Sequence, residues 1–124
     1  MASLIESLIN ILKDQSINYE QLLIISKEKR NCIINNDIND LKDIISAENN
    51  IIGKNQKLEI KREKIISDIS NVLNQERESL TLTKILGLIK NQKEYSTLLE
   101  VKNNLRNILD DLKYYNDQNK LLIE

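Results

Sequence analysis

The sequence predicts an all-α fold: an elongated antiparallel bundle of three long helices over about 3–34, 37–76 and 94–123, with a short connecting helix near 82–90. Two observations carry that prediction. The 124 residues include no proline and only two glycines, so stretches of thirty or more residues lack a turn signal. A β-sandwich or doubly wound sheet would need such a signal about every 8–12 residues. The apolar 40% of the chain is almost entirely isoleucine and leucine, and it recurs in steps of three and four, the period of one helix face. An apolar fraction of 40% beside 30% charged residues excludes a disordered tail, and the length suits one modest domain spanning 1–124.

In the first segment, Ile5, Leu8, Leu12, Tyr19, Leu22 and Ile33 mark the stripe, and Gln15, Ser26 and Lys29 fill its intermediate slots. Leu4, Ile9, Ile11, Leu23, Ile25 and Ile34 widen it beyond a narrow seam, which suits a helix with more than one partner. Asn35, Asn36 and Asp37 then favour a reversal, because short polar side chains bond the free amides of a helix start. The rhythm resumes at Leu41, Ile44, Ile51, Leu58, Ile65, Ile69 and Val72, with Glu48, Asn55 and Arg62 on the same register. A helix of that length is roughly 60 Å long and must lie along a partner, namely the first helix folded back on it. The fold-back brings Ser26 near Glu48, Asn18 near Asn55, and Ile11 or Leu12 near Arg62. These polar positions are expected to be at least half buried and hydrogen-bonded, in layers that set register.

Leu80 to Thr83 alternate as a strand would, but four residues have no strand to pair with. Ser79 or Thr81 is therefore expected to cap a short helix through Ile89, weakened near its end by Gly87. The last helix carries Leu98, Leu105, Ile108, Leu109, Leu112, Tyr115, Leu122 and Ile123, with Asn116 and Asn119 inserted in the stripe.

Composition also removes function classes. Without histidine the chain lacks the commonest general base and metal ligand, so it reads as a non-enzyme with no cofactor and no metal site. A net charge of −1 provides no field to draw nucleic acid or an anionic membrane. Lys54, Lys57, Lys61 and Lys64 form a basic stripe, but Glu59 and Glu63 interleave it and no aromatic side chain accompanies it, so it reads as a solvated face. Asp37, Asp40 and Asp43 suit a helix start through the helix dipole rather than a cation. Cys32, beside Ile33 and Ile34, is expected to be a buried, unreactive thiol. Gly53 inside the second helix suggests close approach of a third helix or drift. The apolar N-terminus is interrupted by Glu6 with no basic residue before it, unlike a signal peptide, and no stretch is long and apolar enough for membrane insertion. A cytoplasmic location is expected.

The least ordinary residues are at the end, where Tyr114, Tyr115, Leu121, Leu122 and Ile123 surround most of the last helix with apolar bulk. Leftover apolar surface of this kind marks a protein-binding site or a homo-oligomer contact.

The ordered segments Leu22-Leu23 with Lys27 to Arg30, Asn36-Asp37-(x3)-Leu41, Glu48, Leu58-Glu59-(x2)-Arg62, Leu80-Thr81-Leu82 and Asn116-(x2)-Asn119-(x2)-Leu122 cover nearly the whole chain. In this order the chain resembles the FlgN-like flagellar export chaperones. Members of that family usually continue for some tens of residues after the asparagine pair, whereas the sequence here stops five residues after Asn119. The resemblance implies a non-catalytic, cytoplasmic chaperone of a type III export system. Its clients would be the hook-associated proteins of the hook–filament junction, which it would keep unassembled until export. It further implies the export ATPase or export gate as partners, and a monomer or weak homodimer. The contact surface expected on this chain is Leu112, Tyr115, Asn116, Asn119, Leu122 and Ile123, the asparagines demanding a polar partner as a buried asparagine does in a coiled coil. The rival expectation is a structural coiled-coil homo-oligomer or scaffold protein.

Overall fold

A computed structural model describes residues 2–123, and the side chains of 3–122. The elements are α1 (Ala2–Ile34), α2 (Ile38–Leu73), a 3-10 turn (Arg77–Ser79), α3 (Leu82–Leu88) and α4 (Gln92–Ile123). No strand occurs among the described residues.

The reversal between α1 and α2 takes only three residues because each does a separate job. Asn36 adopts the left-handed conformation, φ 55°, that asparagine tolerates better than most side chains. The amide of Asn36 then donates to the Ile33 carbonyl at 3.2 Å and that of Asp37 to the Cys32 carbonyl at 2.9 Å, closing the end of α1. The Asp37 carboxylate accepts from the Asp40 amide at 3.2 Å, so one residue finishes α1 and caps α2. The same device ends α2 at Leu73, a little before the expected residue 76. Asn74 takes φ 55° and Gln75 donates its amide to Ser70 at 2.9 Å.

Arg77 holds the following loop against α2. Its guanidinium donates to both carboxylate oxygens of Glu63, at 3.0 and 2.6 Å, and to the Leu80 carbonyl at 3.3 Å. Leu80 is thereby seated in the core. Thr81, one of the two expected caps, accepts from the Lys84 amide at 3.2 Å and starts α3. Asn91 caps α4 by accepting from Glu94 at 3.0 Å.

α1 is the spine. Antiparallel α2 meets it through Asn18 Nδ2, which donates to Asn55 Oδ1 at 2.9 Å, through Gln15 Nε2, which donates to Glu59 Oε2 at 2.9 Å, and through the Lys29–Glu48 ion pair at 3.3 Å. Two of the three expected polar positions bridge the helices, Asn55 buried and Glu48 half-buried, whereas the half-buried Arg62 lies 3.7 Å from Glu59 of its own α2 rather than in a layer with α1. Parallel α4 meets another flank of α1, with Leu22 beside Leu112 in one cluster and Ser26 bonded to α4. Among the described residues, no Cα of α2 comes within 8 Å of one of α4.

The two ends of the bundle differ. Around the N-terminal half of α1, Ile5, Leu8 and Leu12 pack with Ile66 and Ile69 of α2, Leu80, Ile85 and Leu86 of the connector, and Leu98, Val101 and Leu105 of α4. Around its C-terminal half the buried cluster shrinks to Leu22, Ile51 and Leu112. Cys32 belongs to neither cluster and is half-exposed beside the reversal, because its turn of α1 has already run past the packed layers; this corrects the expectation of a buried thiol. Gly53 also departs from one expectation: a Cβ placed there would meet nothing within 4 Å, so no helix approaches closely.

Gly53→Ala should therefore stabilise the protein by about 1 kcal/mol, since alanine loses less backbone entropy in a helix interior. Thermal denaturation followed by circular dichroism should show a rise of a few degrees; a fall would mean that the glycine is needed for packing. Asp37→Ala should lower stability by about 1 kcal/mol through loss of the cap, and an unchanged melting curve would remove Asp37 from that role.

Candidate functional site

Because α2 and α4 stand apart on α1, the space between them must be closed by something else. At the N-terminal end of α1, Leu80 and the α3 residues Ile85 and Leu86 join the core and do so. At the other end nothing in the described chain does, and a cleft of about 450 Å³ remains. Its floor is α1 with Leu22, Ser26 and Lys29, one wall is α2 with Glu48 and Ile52, and the other is α4 with Leu112, Asn116, Asn119 and Lys120.

The apolar strip extends along α2 beyond the cleft. Ile38, Ile45 and Ile52 are all exposed and lie seven residues apart, so they share one helix face over about 21 Å. On α4, Leu109 is exposed one heptad before Asn116.

The polar centre of the cleft is built on Ser26, 1% exposed. Its hydroxyl donates to Asn116 Oδ1 at 3.1 Å, and its carbonyl accepts from Asn119 Nδ2 at 3.0 Å. A carbonyl only accepts, so it is the nitrogen of the Asn119 carboxamide that is turned to Ser26, which leaves the amide oxygen outside that bond. That oxygen has no hydrogen-bond partner, although the residue is only 3% exposed.

The six residues expected to form a contact surface do not form one patch. Leu112 and Asn119 are buried towards α1, Asn116 is exposed on the cleft side, Tyr115 is half-buried and Leu122 is 45% exposed. At about 100° per residue, Tyr115 and Leu122 lie on the side of α4 away from Asn116. There Lys27 Nζ sits 5.4 Å from the Tyr115 ring centre, and Tyr114 meets Tyr115 edge-on at 5.3 Å. The Ile123 side chain lies outside the described residues. The sequence reading did not single out Ser26, Lys29, Ile45 and Ile52 as part of a site. The seven-residue spacing of Ile38, Ile45 and Ile52 was the available signal.

Little else in the chain offers chemistry. Among the described residues no group of three or more His, Cys, Asp or Glu side chains is placed to hold a metal ion, and no helix is long and apolar enough to cross a membrane. Partial desolvation first, and then the carboxylates of Asp37, Asp40 and Glu28, push the Cys32 thiol above its ordinary pKa.

The cleft thus combines apolar side chains, the amides of Asn116 and Asn119, the Ser26 hydroxyl and the charged Lys29, Glu48 and Lys120. The chain belongs to the FlgN protein family, which matches it over residues 1–124. It is accordingly a FlgN-like flagellar export chaperone, a class that binds flagellar export substrates. No curated protein and no solved structure matches the chain.

The Cys32 environment yields a pH test. Because nearby carboxylates disfavour the thiolate, Asp40→Asn should move the midpoint of the pH–rate profile for thiol alkylation downward, and added salt should move it in the same direction. A midpoint insensitive to both would show that the carboxylates have no influence on the thiol.

Proposed function

We propose that the protein is a cytoplasmic chaperone for the hook-associated proteins of the hook–filament junction. It would cover their apolar terminal helices, prevent premature assembly and deliver them to the type III export apparatus. The observation that carries this reading is the uncovered apolar surface at one end of the bundle. There Ile52, 38% exposed, lines the open cleft between α2 and α4, and Leu121 and Leu122, 68% and 45% exposed, add apolar surface elsewhere on the last turns of α4. Apolar side chains left exposed on a small helical protein are suited to taking up an amphipathic helix, and such docking requires neither a cofactor nor a chemical step. The contact surface we propose is the C-terminal third of α4, including Leu112, Tyr115, Asn116, Asn119, Leu122 and Ile123, together with the cleft that it walls. The export ATPase or export gate would be the protein's further partners.

The competing reading is a structural homo-oligomer or scaffold, with the exposed Ile38–Ile45–Ile52 row as a self-pairing seam. Mass measurement in solution over a range of concentrations separates the two. The chaperone reading predicts a monomer or weak dimer, and a stable oligomer at all concentrations would support the scaffold.

Leu122→Asp should abolish capture of a hook-associated protein's terminal segment, because a carboxylate pressed against an apolar helix costs several kcal/mol, at ~1–3 kcal/mol or more for even a neutral polar group. The melting curve should move little, since the side chain is largely outside the core. Pull-down with the variant checks the first statement and circular dichroism the second. A variant that folds and still captures the segment would exclude that side of α4 from the site.

A further inference from the structure

In linear order Glu59 and Glu63 lie among Lys54, Lys57, Lys61 and Lys64, but the helix takes the two signs apart. At about 100° per residue the glutamates fall on the flank of α2 that carries Ile45 and Ile52, and the lysines on the opposite flank. Both glutamates are also committed. Glu59 accepts from Gln15 at 2.9 Å and lies 3.7 Å from Arg62, while Glu63 holds the Arg77 guanidinium at 2.6 and 3.0 Å. All four lysines are exposed, and among the described residues none of them forms an ion pair. An apolar side chain stands in their midst: Ile60 is 73% exposed, and Lys57, Ile60, Lys61 and Lys64 follow the three- and four-residue spacing of one helix face. Beside that face a shallow groove of about 340 Å³ separates α2 from α1. Lys54, Lys57, Leu58 and Lys61 line its α2 side, and Asp14, Ile17 and Asn18 its α1 side.

We propose that this flank of α2, on the far side from the cleft, is a docking surface for an acidic amphipathic helix of a partner protein; the proposal does not depend on the chaperone reading. Four positive charges over about 15 Å of helix, with no counter-ion of their own, complement carboxylates repeated every three or four residues. Ile17, Leu58 and Ile60 offer apolar contact to the side chains between those carboxylates. The net charge of −1 does not weaken the attraction, because salt at physiological strength confines each charge to about 8 Å. Other polyanions fit less well. No aromatic side chain lines the groove, so a nucleic-acid strand has nothing there on which to stack its bases. A nucleic-acid backbone or an anionic bilayer is negative throughout and would meet the Asp14 carboxylate within the groove, whereas a helix can turn an uncharged residue to it. A second copy of this chain presenting the same flank would set lysine against lysine.

The probe is a labelled synthetic helix with glutamates on one face and leucines on the adjoining one, followed by fluorescence anisotropy on the full chain. Its controls are a scrambled copy of the same composition and a copy with lysine in place of each glutamate. A single-stranded RNA oligonucleotide and vesicles of phosphatidylserine in phosphatidylcholine are measured beside them. Wild type should bind the acidic helix about tenfold more tightly than either control peptide and more tightly than the RNA or the vesicles. Lys57→Glu combined with Lys61→Glu should weaken the acidic helix about tenfold and strengthen the lysine copy, and Ile60→Ser should weaken the acidic helix several-fold. All three positions are exposed, so the melting curves should stay close to wild type. Equal binding of the acidic and scrambled helices would reduce the surface to unspecific charge and overturn the proposal. Tighter binding of RNA or vesicles, no binding of the acidic helix, or a charge-reversed variant that binds it as wild type does would also overturn it. Should the charge-reversed variant not fold, Lys61→Gln and Ile60→Ser decide in its place.

Discussion

Everything in this fold depends on α1 being wide enough in its apolar stripe to serve two neighbours that do not serve each other. α2 and α4 each pack along α1, and no Cα of one comes within 8 Å of the other among the described residues. A bundle built in this way has a seam that its long helices do not close. Around Ile5, Leu8 and Leu12 the connector closes it with Leu80, Ile85 and Leu86; around Leu22 it stays open. One end of the molecule is therefore a core and the other a cleft, although the same three helices form both.

The polar residues within the stripes maintain this arrangement. Hydrophobic packing of isoleucine and leucine is tolerant of sliding, whereas a buried amide or carboxylate out of register is left without a partner. Asn18 with Asn55, Gln15 with Glu59 and Lys29 with Glu48 hold α2 in register, and Ser26 with Asn116 and Asn119 holds α4. The second set lies in the cleft, so the side chains that align α4 are also those a docking helix would meet. On the proposed reading, alignment of the bundle and recognition of a partner would be joined at Ser26.

Much of this was legible in the residues. The three- and four-residue spacing marked the long helices. The Asn35-Asn36-Asp37 run marked the reversal, because asparagine and aspartate supply the left-handed residue and the cap it needs. The fold-back from that reversal placed Asn18 against Asn55. The destinations of the α4 asparagines were harder to read. Periodicity assigns a residue to a face but does not say what covers the face, so Asn119 in an apolar stripe looked the same whether it met a client or Ser26 of its own α1. The parallel placement of α4, set by the connector, decided that question. It also separated Tyr115 and Leu122 from Asn116, which linear order had grouped together. Cys32 was misread for a similar reason: its apolar neighbours Ile33 and Ile34 suggested depth, but the last turn of α1 lies at the thinly packed end.

The central claim is that the open end of the bundle, between α2 and α4, is where a client is held. Hydrogen–deuterium exchange of the full chain, alone and with a hook-associated protein bound, tests it most directly. The account predicts added protection in α4 from about residue 109 onward and in the facing part of α2 around residues 45–56, with the amides around Leu8, Ile69 and Leu98 unchanged. Protection confined to the closed end, or to the basic face at Lys57, Lys61 and Lys64, would contradict it.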